Sequence, residues 1–164
     1  MEIRLIDEGD DRRAISKVYE ESWKFAYKGM IPQSYLDSIP QGNWTEAVDT
    51  SGWNTLLVLD GDQIIGTSSY CNSRFEDWKD YGEIISIYFL PEYMGKGYGK
   101  ALLQAAVDRL AEAGCKDILL WVLEENERAK RFYERNGFTA SGVSLDDNIG
   151  GKALKEIQYV KKLG

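Results

Sequence analysis

Three glycines at alternate positions, Gly95, Gly97 and Gly99, stand between a β-rich apolar run and an amphipathic helical run. The run before them, Glu83 to Leu90, carries Ile84, Ile85, Ile87, Tyr88 and Phe89, and Pro91 ends it. The run after them, Lys100 to about Ala113, puts Leu102, Leu103, Ala106, Val107 and Leu110 on one face, with Gly114 as the expected C-terminal cap. A strand that turns through glycine into a helix leaves N–H groups at the helix start without acceptors. Those donors and the positive end of the helix dipole favour a bound phosphate. Lys96 and Lys100 add positive charge, and side chains at the glycine positions would obstruct close approach of phosphate oxygens. No Gly-Lys-Ser/Thr closes the turn, so it is not a Walker loop. Its G-x-G-x-G spacing also differs from the dinucleotide fingerprint. On the glycines alone, a plain strand-to-helix turn with no ligand is the alternative.

The elements around this unit define the fold class. Ile3 to Ile6 suits a first strand, and Asp10 or Asp11 can cap a helix with the stripe Ala14, Ile15, Val18, Tyr19, Ser22 and Trp23. Gly29 and Pro32 break that helix, and Pro32 suits the first turn of a short second one carrying Tyr35, Leu36 and Ile39. A further short helix is expected over 41–51. Thr55 to Leu59 and Gln63 to Tyr70, joined by Asp60-Gly61-Asp62, read as a hairpin. Asn72 to Asp80 reads as a polar loop. Ile118 to Leu123 is an apolar strand, Asn126 to about Asn136 a helix closed by Gly137, Phe138 the start of another strand, and Lys155 to Lys162 the last. A hairpin-rich front followed by a βαβα back predicts an α/β protein with a mixed sheet, in a single domain over 1–164.

Composition narrows the chemistry. The 164 residues include no histidine, which removes a Ser-His-Asp or Cys-His hydrolase, a His-ligated zinc and any His base. Two cysteines, Cys71 and Cys115, are too few for a Cys-only metal site and read as reduced core thiols, so no metal is expected. The net charge of −7 argues against nucleic acid. It is concentrated before residue 83, so a cationic partner for the front half is one reading and plain solubility the other. No apolar run approaches the roughly 20 residues a membrane helix needs. No charged-apolar-small leader opens the chain, so a cytoplasmic location is expected.

Glu83 to Pro91, then Gly95-Lys96-Gly97-Tyr98-Gly99 and Leu102-Leu103, resembles the acetyl-CoA motif Gln/Arg-x-x-Gly-x-Gly/Ala of the GNAT superfamily of N-acetyltransferases. A second stretch is also similar: Trp121-Val122-Leu123, Asn126-Glu127-Arg128-Ala129, Phe132-Tyr133 and Asn136-Gly137-Phe138. Met94 departs from the Gln or Arg usual at the first motif position. The resemblance implies a mixed, mostly antiparallel sheet of six to seven strands with about four helices, and strands 4 and 5 splayed apart. It implies acetyl-CoA as co-substrate, no metal, and transfer to a primary amine by direct attack in a ternary complex. The acceptor is a small amine of polyamine type or a peptide N-terminus. The alternative is a non-catalytic acetyl-CoA-binding module, and a homodimer is left open.

The same resemblance implies the site. Main chain at Ile87, Tyr88 and Phe89 would pair with the pantetheine arm. Met94, Gly95, Lys96, Gly97, Tyr98, Gly99 and Lys100 would hold the pyrophosphate, and Asn126 and Tyr133 would also contact the cofactor. A bulge in the strand would aim an N–H at the thioester carbonyl. Tyr133 is the expected general acid for the leaving thiolate. Glu83 is the expected general base, with alternation grouping it with Ile85, Ile87 and Phe89 on one side. The ribosomal-protein branch of the family carries its base where this chain has Trp121. Trp23, Tyr27 and Tyr35, with Phe25 and Met30 nearby, suit an aromatic acceptor site for an organic cation. Asp37, Glu76, Asp77 and Asp80 are possible acidic partners.

Overall fold

Backbone pairing sorts the chain into one seven-stranded sheet with helices on both faces, in a computed structural model that describes residues 1–164. The strands are β1 (Glu2–Leu5), β2 (Asn54–Asp60), β3 (Gln63–Asn72), β4 (Gly82–Phe89), β5 (Asp117–Leu123), β6 (Thr139–Ile149) and β7 (Lys152–Lys162). The helices are α1 (Arg12–Ala26), α2 (Gln33–Ser38), α3 (Tyr98–Glu112) and α4 (Glu127–Arg135). The sheet runs β1-β2-β3-β4-β5-β7-β6, and only the central pair β4/β5 is parallel. This is the expected mixed, mostly antiparallel sheet with four helices. No helix is long and apolar enough to cross a membrane.

Local chemistry explains the elements. The Asp11 carboxylate accepts from the N–H of Arg13 and Ala14 and starts α1, and Asn126 caps α4 through Ala129 N–H. Gly61, at φ 63°, opens the two-residue loop of the β2/β3 hairpin. The core lies where Ile15 and Val18 of α1 and Leu102, Ala106 and Leu110 of α3 close on Leu57, Ile65 and Ile118 of the sheet. Each of the larger of these side chains, Ala106 excepted, contributes roughly 1.5–3 kcal/mol by leaving water.

Two deviations from regular sheet shape the centre. The β4/β5 ladder pairs Gly82, Glu83 and Ile84 with Ile118, Leu119 and Leu120 and then stops, so the strands splay beyond it. On the other edge of β4, Ser69 faces Ser86 while Tyr70 faces Ile84, which leaves Ile85 as a bulge residue without a partner. The bulge resets the alternation. Gly82 lies under Leu110 of α3, and Phe89 packs near Tyr98 of the same helix. Ser86 and Tyr88 instead meet Tyr19 of α1. The expected grouping of Glu83 with Ile85, Ile87 and Phe89 is therefore corrected: Glu83 faces the α1 side with Ser86 and Tyr88.

Other boundaries moved. Residues 41–51 form turns and a single 3₁₀ turn at Ala47–Asp49 rather than a helix. Gly42 sits at φ 81°, and Trp44 N–H donates to Ser16 Oγ of α1 in place of a helical acceptor. The 72–80 segment is not simply polar, because Phe75 and Trp78 fold onto Trp121 of β5. The last strand begins at Lys152, not Lys155, because Gly150 and Gly151, both at positive φ, close a tight hairpin with a long β6.

Candidate active site

The splay opens a cavity of about 1000 Å³ that runs from the glycine turn, along the upper half of β4, to the end of α1. Beyond Ile84 the edge of β4 that faced β5 has no strand partner, so its backbone groups are available to a ligand that lies as an added strand. Ile85 through Phe89 line this stretch on one side, and Trp121, Val122 and Leu123 line it on the other.

At the glycine turn, none of the N–H groups from Gly95 to Lys100 donates to an acceptor within the chain. Gly95 (φ 74°) and Gly97 (φ 86°) hold left-handed conformations that a side chain disfavours, and a Cβ at either would project into open space. Gly99 is constrained by its neighbour: a Cβ there would sit 3.4 Å from the Phe132 ring. The dipole of the fifteen-residue α3 begins at these donors. The residues therefore fit a pyrophosphate. Met94 and Lys100 also line the cavity, whereas Lys96 lies over the Tyr93 ring and Tyr98 packs toward Phe89 and Tyr93. The side chains of these two lie outside the cavity lining.

Asn126 and Tyr133 both line the cavity from α4. The Asn126 carbonyl oxygen is taken by the cap, which leaves its amide NH₂ for a ligand. Tyr133 packs against Phe132 and Phe138, and its hydroxyl has no partner in the chain. Burial, with a smaller contribution from Tyr27, raises its pKa well above the ordinary phenol value, so the hydroxyl keeps its proton at neutral pH.

Glu83 does not join them. It is fully buried and lies outside the cavity lining. Its carboxylate accepts from Arg74 Nη2 at 2.6 Å, Nε at 3.1 Å and the Arg74 N–H at 3.1 Å. The expected apolar surroundings are replaced by a guanidinium. A carboxylate with three of its roughly four acceptor sites taken up by one arginine is a poor general base.

The far end of the cavity is aromatic. Trp23 and Tyr27 meet edge to face, Trp44 stacks on Tyr19 and lies against Trp23, and Tyr88 tilts against Tyr19. Burial raises the hydroxyl pKa of both Tyr27 and Tyr88. Phe25 and Met30 line the cavity, but Tyr35 does not: it is exposed on α2 against Gly150, and its expected acceptor role is corrected. Asp37, Glu76, Asp77 and Asp80 also lie off the cavity, and Asp37 accepts from Gln33. Two residues that sequence reasoning missed belong here, Trp44 and Glu156. Glu156 shares one face of β7 with Leu154 and Gln158, but Ile157 and Tyr159 on the other face are covered as well, so simple alternation does not single it out. The thiols are free, and burial with the Glu83 charge pushes Cys71 up to about 11.

Comparison with known proteins agrees with this geometry. The model of the acetyltransferase (GNAT) family matches residues 15–138. The uncharacterized N-acetyltransferase YuaI of Bacillus subtilis is 28% identical over 151 residues, which is 90% of this chain and 86% of that protein. A spermidine N(1)-acetyltransferase of Thermoplasma acidophilum is 26% identical over 157 residues, covering 92% of each. The crystal structure of the PaiA N-acetyltransferase of Thermoplasma acidophilum, in complex with coenzyme A, superposes with a TM-score of 0.74 at 22% identity, over 99% of this chain and 100% of that one. The chain belongs to the GNAT family of acetyltransferases. Its activity is acetyl-CoA-dependent N-acetyl transfer.

Proposed function

We propose that this N-acetyltransferase acts on a primary amine of polyamine type, by direct attack of the amine on acetyl-CoA while both are bound. The observation that carries this reading is the make-up of one continuous cavity. It has free amides and Lys100 toward one end and aromatic rings with a single carboxylate, Glu156, toward the other, and Arg128 and Arg135 of α4 also line it. Aromatic faces attract an organic cation by about 0.5–2 kcal/mol each, and the carboxylate adds a counter-charge. Similarity to a spermidine N(1)-acetyltransferase over 92% of the chain points the same way.

In this reading the amides of Gly95 to Lys100 hold the pyrophosphate, the open edge of β4 orients the pantetheine arm, and Asn126 contacts that arm. Acetyl-CoA supplies the activated acyl group. Main chain at the Ile85 bulge faces the thioester carbonyl and stabilises charge developing on its oxygen. The Tyr133 hydroxyl, unpartnered and protonated, gives its proton to the departing thiolate. The thiols take no part, since a raised pKa leaves Cys71 protonated at neutral pH.

The test is thiol release from acetyl-CoA with spermidine, spermine and simple diamines. Amine-dependent release with intersecting double-reciprocal lines is expected, and it should persist in Cys71→Ser and Cys115→Ser. Parallel lines, or thiol release that no primary amine accelerates, would remove the reading.

A further inference from the structure

Glu156 is the only acid among the residues lining the cavity. Across the sheet it faces Leu123 on β5 and Leu145 on β6, so its carboxylate emerges between two leucines. The neighbouring acids are engaged elsewhere: Glu83 holds Arg74, and Glu125 holds Lys152. Glu156 has no ion pair within the chain, and the one side chain close enough to share a hydrogen bond with its carboxyl is another acid, Asp147. A half-buried carboxylate left without a cationic partner is costly to folding. A cation that arrives with the substrate would complete it.

Three groups face Glu156 from the elements packed around it. Asp147 lies on β6 across from Leu154, the residue two before Glu156, and repels its charge. Arg74 approaches from the segment after β3 and attracts it. Tyr27 approaches from the end of α1 and is raised in turn by the Glu156 charge. Burial is the largest influence and Asp147 the next, so the carboxyl pKa is raised above the ordinary value.

We propose that Glu156 is a catalytic residue of the transfer: it receives the acceptor's ammonium and takes the proton that must leave before the nitrogen can attack. The proposal rests on the amine reading above. The nitrogen lone pair freed by that loss forms the N–C bond as the C–S bond breaks. Tyr133 protonates the thiolate and recovers a proton from the new amide nitrogen. Glu156 then returns its own to solvent, so one proton is released per ammonium acetylated. The site narrows the gap between the partners. Burial raises a carboxyl and lowers an ammonium, whose ordinary pKa is near 10, so the two approach each other. Tyr27 and Trp23 hold the cation while this happens. Glu83, sealed behind Arg74, is left a structural part.

The full chain with spermidine as the amine tests this. Wild-type kcat/KM should rise with pH along an acidic limb above the ordinary carboxylate range. Glu156→Gln should lower kcat by about 10²-fold and abolish that limb, while acetyl-CoA still raises the Tm as it does in wild type. Asp147→Asn, at an exposed position, should move the limb to lower pH, because it removes a group that holds the Glu156 proton on. Without acetyl-CoA, spermidine affinity read by tryptophan fluorescence should fall about tenfold as pH drops through the same range, and should be weak and flat in Glu156→Gln. Glu83→Gln should keep the limb. Turnover within threefold of wild type in Glu156→Gln, with spermidine still acetylated, would overturn the inference alone. A limb lost in Glu83→Gln and kept in Glu156→Gln would return the role to Glu83. A wild type that acetylates no primary amine would overturn the amine reading, and this inference with it.

Discussion

The two ends of the cavity are built from different parts of the chain. At the glycine turn the groups open to a ligand are backbone N–H donors, all presented by one strand-turn-helix unit. At the aromatic end, proposed above for the acceptor, they are side chains drawn from α1, the 42–44 turn, β4, β5 and β7. Backbone donors depend on φ and on empty space, so most side chains around them can change without loss. Side-chain walls depend on identity and on long-range packing. Trp44, for example, meets Tyr19 and Trp23 only because Ser16 and Glu20 of α1 bind the main chain of Trp44 and Gly42. If the proposed reading holds, one end would hold the acyl donor through main chain, while the other would select the acceptor through side chains.

Substitutions that separate the two ends test this contrast. The largest effect is expected where both ends meet. Tyr133→Phe should cut kcat about 10²-fold while the Kd for acetyl-CoA stays within twofold of wild type; an affinity loss of the same size would make Tyr133 a packing residue. Gly97→Ala comes next. A left-handed Cβ costs roughly 1–2 kcal/mol, so KM for acetyl-CoA should rise about tenfold with KM for the amine unchanged. Trp23→Ala should do the converse: KM for spermidine rises several-fold, and the stabilisation by acetyl-CoA measured by melting is retained. The smallest effect is expected from Met94→Gln, which restores the residue usual in the family. A change of under twofold in acetyl-CoA KM fits a backbone-held pyrophosphate, whereas tenfold tightening would show that a side-chain contact matters there.

The same contrast explains what could be read from the sequence. The turn, the strand before it and the helix after it are local in the chain, and glycine spacing with apolar periodicity is enough to place them. The seam between β4 and β5 follows from the family likeness of that stretch. The acceptor wall was only partly legible. Trp23 and Tyr27 share a helix and fell together, but Tyr35 sits one helix further on and turns away toward Gly150. Glu83 was misassigned because simple alternation ignores a bulge, and the inserted Ile85 is visible only once β3 is laid beside β4. Glu156 stood in a charged stretch of β7 whose inward register is set by pairing with its hairpin partner β6 and with β5, which is distant in sequence. The 72–80 segment looked like solvent-exposed loop because its acids outnumber its rings, yet Phe75 and Trp78 are what fold it back.

The seam has a mechanical consequence. Three residue pairs join β1 through β4 to the block formed by β5, β7 and β6. A ligand lodged in the wedge above them acts as a staple between two halves of the sheet. Amide exchange in β5 should slow on acetyl-CoA binding far more than exchange in the distant edge strand β1. Enzyme loaded with acetyl-CoA should then be a stiffer body than the free chain, and the aromatic wall beyond the wedge should firm up once the donor is in place.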